Sequence, residues 1–221
     1  MEFLGEGGNW TIYENPEDKS QAIKFPKNNL TGKKTQSNVD NYNLIRGVLT
    51  TVSYLFEDIY DGKKVLITEN LNSLESVYVS PNSYTTEQQK IVRILNPYIK
   101  IDIKESIQEQ KLGEFKIRVI ENIDKFLERI LIKIKEISQK EILVEYDSYF
   151  FGVARDSKST LVTYKIADFD HIFPDRKNVF SDNIDEFHRA FSLFINYFVE
   201  EENQNEYLHK LQKMTIYVKG S

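Results

Sequence analysis

Cysteine is absent from all 221 residues, which excludes disulfides, thiolate metal sites and a cysteine nucleophile. That absence fits a reducing compartment, and the expected location is cytoplasmic. No run approaches the roughly 18 consecutive apolar residues of a membrane-spanning helix, so no span is expected. Met1-Glu2-Phe3-Leu4 carries neither a basic nor an apolar leader region, so no signal peptide and no N-terminal regulatory extension is read. A basic surplus is missing too: 29 Lys and Arg stand against 34 Asp and Glu, and a net charge of -5 gives no overall pull toward nucleic acid or acidic lipid. What is present is ordinary for a globular protein, 40% hydrophobic and 29% charged, with length enough for one large domain or two lobes around a cleft.

Strands and turns around one helix fill residues 1–71. Phe3-Leu4 and Trp10–Tyr13 flank the turn Gly5-Glu6-Gly7-Gly8 as a hairpin, and Asn15–Asp18 turns the chain into a strand at Gln21–Phe25. Ser37–Leu49 is expected to be a helix capped by Ser37 or Asn38. Val52–Phe56 and Lys64–Thr68 read as strands joined through Asp61-Gly62, a good hairpin turn. Residues 72–114 are polar, contain Pro81 and Pro97, and hold at most a short helix over Thr86–Leu95. From Phe115 to Ile137, apolar residues recur every three or four positions, which predicts a core-facing helix. Ile142–Val144, Phe150–Ala154 and Val162–Ala167 read as short strands, and Asp185–Val199 as a second amphipathic helix.

Gly5, Gly7 and Gly8 would open backbone N–H groups to a phosphate, since nothing projects from Cβ; a hairpin turn without a ligand is the alternative. Lys24 lies between Ile23 and Phe25 on a predicted inner strand, where an unpaired ammonium is costly. Residues 19–56 contain no Glu, and Asp40 is the sole carboxylate there to pair with it. An edge-strand lysine reaching solvent is the other reading. Asp168 ends the apolar strand Tyr164-Lys165-Ile166-Ala167, a position from which a carboxylate can hold Mg²⁺. Asp170 is a second metal candidate or a cap, and His171 reads as a structural hydrogen-bonder. Asp147, within Glu145–Gly152, is a candidate general base.

The glycine turn, Ala22-Ile23-Lys24 and Ala167-Asp168-Phe169-Asp170, in this order, resemble the protein-kinase-like superfamily. The resemblance implies a two-lobed α+β fold, with an antiparallel-sheet N-lobe over residues 1–71 and a mostly helical, truncated C-lobe over 72–221. It implies that Gly5, Gly7 and Gly8 cradle the phosphates of ATP and that Lys24 binds them with Asp40 in support. Glu69-Asn70-Leu71 would be the hinge, with the backbone of Glu69 and Leu71 meeting adenine. Asp168 and Asp170 would hold Mg²⁺, and Asp147 would be the base. The sequence departs from the pattern where Trp10 replaces the third glycine, where the helix Glu is missing, where Asp170 replaces a glycine and where Gly152 replaces an Asn metal ligand.

The Asp-Phe-x-His form resembles inositol polyphosphate kinases. Pro97–Lys104 resembles their Pro-x-x-x-Asp-x-Lys-x-Gly motif, with Asp102 one residue late and Ser106 in place of glycine. Only 51 residues follow Asp170, without an Ala-Pro-Glu motif, which argues against an ordinary protein kinase. Residues 90–140 carry 12 basic against 8 acidic side chains, which suits a phosphorylated substrate or an ordinary solvated helix face. The expected function is ATP- and Mg²⁺-dependent phosphoryl transfer to a hydroxyl, with a small phosphorylated polyol such as an inositol phosphate as acceptor. Two readings compete with it: an inactive pseudokinase or binding module, and an atypical protein Ser/Thr kinase with a dedicated protein partner.

Overall fold

A side-chain alternation of two residues builds the first sheet in the computed structural model, which describes residues 1–27, 32–73, 76–80, 116–154 and 159–219. Strands β1 (Phe3–Glu6), β2 (Trp10–Glu14), β3 (Gln21–Pro26), β4 (Leu55–Tyr60) and β5 (Lys63–Glu69) form one antiparallel sheet in the order β1-β2-β3-β5-β4. On β3, Ile23 packs with Val65 and Ile67 on one face. Lys24, which pairs across to Ile12 and Leu66, therefore points to the other face. A slip of one residue would exchange Ile23 and Lys24, so the apolar pattern fixes where the lysine goes. The β4–β5 hairpin turns at Asp61 and Gly62, both with positive φ (49° and 73°), as an Asp-Gly turn requires.

Helix α1 (Gly32–Ile45) lies between β3 and β4. It starts and ends earlier than the expected Ser37–Leu49, because its inward row is polar: Thr35, Asn38 and Asn41 are buried beside Tyr42 and Ile45. β4 also begins later than expected. Val52 is instead tied to the distal chain by its N–H, which donates to the Ile166 carbonyl at 3.1 Å.

The other described residues join small sheets to three helices. β6 (Ser76–Val79), β9 (Tyr149–Ala154) and β11 (Thr163–Ile166) make an antiparallel sheet in the order β11-β9-β6. β7 (Val119–Ile120) pairs with β10 (Ser159–Thr160), and β8 (Leu143–Val144) with β12 (Ile172–Phe173). Helix α2 (Ile123–Gln139) buries Ile123, Phe126, Leu127, Ile130, Ile134 and Ile137, the spacing read from the sequence. It starts eight residues later than expected because Asn122 leaves the helix pattern to bond both the N–H and the C=O of Val162. Helix α3 (Phe180–Phe198) stacks Phe187, Phe191 and Phe194 against Phe126 and Phe151. Helix α4 (Glu201–Lys219) has no counterpart in the sequence reading; among its described side chains, only Tyr207, Leu211 and Thr215 are buried. The expected helix at 86–95 and the 97–106 motif lie outside the described residues. One apolar cluster runs from Trp10, Tyr42 and Leu66 through Phe151 to Phe187 and Leu211.

Candidate active site

Three strand ends and one helix converge beneath the first sheet. The segment after β11 and the turn before β9 run side by side, because Ala167 N–H donates to Ser148 O at 3.2 Å and Glu145 N–H to His171 O at 3.1 Å. These two bonds bring Asp147 and Asp168 into one neighbourhood, although 20 residues separate them in sequence.

Lys24 is only 7% exposed, and its Nζ donates to the Ala167 carbonyl at 2.8 Å. Burial pushes its ammonium below the ordinary lysine range, and the charges of Asp168 and Asp170 partly restore it. The expected partner, Asp40, is an exposed residue that accepts from Gln36 Nε2 at 2.8 Å on the solvent side of α1. That expectation is corrected: the acids acting on Lys24 come from the segment after β11.

Asp168 is half-buried, and its Oδ1 accepts the Asp170 N–H at 3.1 Å. Asp170, expected as a second metal ligand, has both oxygens engaged by the protein. Oδ1 takes Asn38 Nδ2 at 2.7 Å, while Oδ2 takes Trp10 Nε1 at 2.7 Å and Asn9 Nδ2 at 2.9 Å, with Lys34 Nζ at 3.7 Å. Burial alone would raise its carboxyl; these donors outweigh burial and hold it below the usual carboxylate range. With both oxygens engaged, the carboxylate is held in place by donors of the protein itself.

Among the described carboxyl groups, Asp147 is the most strongly shifted. Burial raises its carboxyl from 3.8 to about 6, opposed by His171 and reinforced by Asp168 and Glu145. His171 stands between two acids, Nδ1 at 2.9 Å from Glu145 and Nε2 at 3.3 Å from Asp147 Oδ2. Burial lowers the imidazole, but the Glu145 hydrogen bond and the surrounding negative charge outweigh it, and the net direction is up. Glu145, Asp147 and His171 offer ligand atoms within 4.8 Å of one another. This is a mixed nitrogen–oxygen set, which suits a transition metal better than Mg²⁺. Asp147 Oδ1 is buried and, among the described residues, unpartnered.

The glycine turn is open: a Cβ built on Gly5, Gly7 or Gly8 meets nothing within 4 Å. Gly7 N–H closes the hairpin on Trp10 O at 2.9 Å. Gly152 has a packing role, since a Cβ there would fall 2.7 Å from the Tyr78 ring. At the expected hinge, the Glu69 side chain pairs with Lys165 at 2.6 Å and accepts from Ser53 N at 2.9 Å. Asn70 N–H goes to Ser20 O and Asn70 O accepts from Ser73 N. Leu71 opens a short 3-10 turn and packs against the core.

Sequence reasoning missed the roles of Asn9, Lys34, Asn38, Asn41 and Glu145. Asn41 Nδ2, for example, donates to the Phe169 and Ile172 carbonyls at 2.9 and 3.0 Å. The only sequence signal was polar residues spaced as one face of α1, and nothing in sequence links that face to residues near 170.

No protein-family model matches the chain, and no curated protein matches it. Among solved structures, the chain is similar to the GDP and kanamycin complex of APH(2")-IIia, at 12% identity and a TM-score of 0.32, covering 99% of this chain and 92% of that one. It is similar to the Helicobacter pylori proinflammatory kinase CtkA at 13% identity and a TM-score of 0.35, covering 97% and 92%. The GDP complex of wild-type aminoglycoside 2'-phosphotransferase-IIIa gives 13% and 0.35, covering 97% and 81%. At such scores neither fold nor activity follows from the likeness, and the functional reading rests on the site itself.

Proposed function

We propose that this protein is a nucleoside-triphosphate-dependent phosphotransferase that delivers a phosphoryl group to a hydroxyl, with ATP and Mg²⁺ as the expected cofactors. The observation that carries it is the meeting of a buried strand lysine, a strand-end carboxylate and a half-buried acid raised to about 6, in Lys24, Asp168 and Asp147.

The residues fit the cofactor pair. Among the described residues, Asp168 accepts one hydrogen bond, at Oδ1, which leaves its second oxygen for a cation, and Mg²⁺ commonly takes one or two carboxylates plus phosphate oxygens. When bound, Mg²⁺ would neutralise charge on the transferring phosphoryl group. Lys24 would exchange the Ala167 carbonyl for a phosphate oxygen, a stronger acceptor. The glycine turn would supply backbone N–H groups without a side chain in the way. Asp147, raised toward neutrality, is matched to accept the proton of the attacking hydroxyl and hold it as a neutral acid. His171 would steady its charge.

The acceptor is better read as neutral or cationic near its reacting hydroxyl. Glu145 and Asp168 flank Asp147, and an inositol phosphate would bring more negative charge against them. Part of the basic stretch that suggested a phosphorylated acceptor lies outside the described residues.

A second reading, a nucleotide-binding module without turnover, is favoured by Gly152, which offers no metal ligand where one was expected. The test is thermal unfolding with and without ATP and Mg²⁺, on wild type and Asp168→Ala, followed by a phosphate-transfer assay. Ligand at about 100 times Kd adds about 2.7 kcal/mol, or roughly 5–10 °C for a chain of this size. A Mg²⁺-dependent shift lost in Asp168→Ala supports the site, and transfer then separates enzyme from binding module. No shift at millimolar nucleotide sinks both readings.

A further inference from the structure

Three departures from the kinase pattern touch one another. Trp10 stands at the third glycine position, Asp170 at another glycine position, and α1 lacks the glutamate that would pair with the strand lysine. In the structure, Trp10 and α1 both bind Asp170. We propose that Asp170 is a positioning residue whose carboxylate latches the glycine turn and α1 onto the Asp168 segment, replacing the lysine–glutamate ion pair, so that nucleotide affinity depends on it.

In protein kinases that ion pair must form for the helix to be correctly placed. Here α1 meets the segment after β11 through one face. Lys34 and Asn38 reach Asp170, and Asn41, three residues on, reaches the carbonyls of Phe169 and Ile172. The spacing of 34, 38 and 41 is that of neighbours on a helix. From the other side Asn9 and Trp10, which follow the glycine turn directly, reach the second oxygen of the same carboxylate. The Asp170 side chain is 5% exposed, so these bonds form away from bulk water, where charge-assisted bonds are strong. Its own N–H then fixes Asp168 Oδ1. The indole that looks misplaced in a phosphate loop is thus the donor that holds the loop.

The proposal rests on the nucleotide site argued above, and its test separates the two. Asp170→Ala and Asp170→Asn are compared with wild type for fold by circular dichroism. Ligand-free amide hydrogen exchange is then followed over residues 5–10 and 34–41, and emission is read from Trp10, the chain's single tryptophan. ATP with Mg²⁺ is the binding probe. The expected result in Asp170→Ala is faster exchange in both segments together and a shift in Trp10 emission. ATP affinity should weaken by about tenfold or more, as loss of a charged hydrogen-bond partner implies, with KM rising and kcat changing less. Asp170→Asn should fall between the two, and it carries the test if the alanine variant does not fold. Unchanged exchange and affinity in a folded variant overturn the latch. If wild type binds no ATP, the nucleotide clause falls with the functional reading. Exchange alone then decides the latch, with joint loosening retaining it and no loosening removing it.

Discussion

Placing one methyl group on Gly152 should destabilise the protein measurably, although its backbone is not in a glycine-only conformation. Gly152 sits in the middle strand of β11-β9-β6, opposite Thr163 on one side and Tyr78 on the other. A Cβ built there lies 2.7 Å from Tyr78 Cε1, 2.8 Å from Tyr78 Cζ and 2.8 Å from Thr163 Cγ2. Carbon atoms prefer about 3.5–4.0 Å, so both neighbours must move by most of an ångström. Tyr78 is 6% exposed and its ring lies under Lys165 Nζ, 5.7 Å from the centroid, so it has little room. Overpacking of this kind costs about 1–3 kcal/mol, and the lower entropy of the unfolded alanine chain returns about 0.4–1 kcal/mol. The net expectation for Gly152→Ala is a loss of about 1–2 kcal/mol, or a Tm lowered by about 2–8 °C. Thr163→Ser removes one of the two clashing groups. In the double variant it should recover about 0.5 kcal/mol or more, read as the coupling term in urea unfolding. Gly152→Asn, the residue a kinase pattern would place there, should be worse than alanine and should not improve Mg²⁺ dependence. A Gly152→Ala variant as stable as wild type would refute the packing argument and reopen position 152 as part of the site.

Lys24→Met should lose nucleotide binding while Tm changes little, because the desolvation cost it removes is offset by the lost bond to the Ala167 carbonyl and the lost attraction to Asp168 and Asp170; calorimetry and nucleotide titration read the two effects separately. If Asp147 is the base, kcat/KM should rise with pH through about 6, since the active form is the carboxylate; a flat profile between pH 5 and 8 argues against that role. Stability runs the other way. The folded value lies above the unfolded 3.8, so the native state holds the proton more tightly, and ionising Asp147 destabilises it as pH climbs from 3.8 toward 6. Asp147→Asn should therefore be more stable than wild type at pH 8, with the difference shrinking by pH 4, while transfer is lost. His171 is raised above 6.5, so its contribution is fully present below that pH and is lost as pH passes its folded value. His171→Gln should cost more Tm at pH 5.5 than at pH 9.

Local pattern determined the elements whose faces are apolar. The alternation around Ile23 placed Lys24 on the site side of β3, and the three-four spacing of Phe126, Ile130 and Ile134 gave α2. Asp61-Gly62 dictated its own hairpin through its backbone preferences. Elements built on polar faces escaped. The α1 start was misplaced because Asn38 and Asn41 are buried for partners some 130 residues away, and α4 was missed because its described side chains bury one thin row.

The same division runs through the site. Lys24, Asp168 and Asp147 stood out as candidates because each has an unusual residue type for its local surroundings. Their partners did not, since a carboxylate's role depends on which donors the fold brings to it. Asp40 and Asp170 look alike in sequence as candidate acids; one faces solvent beside Gln36, and the other is bound by Asn9, Trp10 and Asn38. Sequence by itself determined which charged side chains had to be accounted for, because hydrophobic periodicity decides what is buried. Only the tertiary structure decided which of them meet. Hydrogen bonds reach about 3 Å, and no local signal encodes which distant segments arrive within that distance.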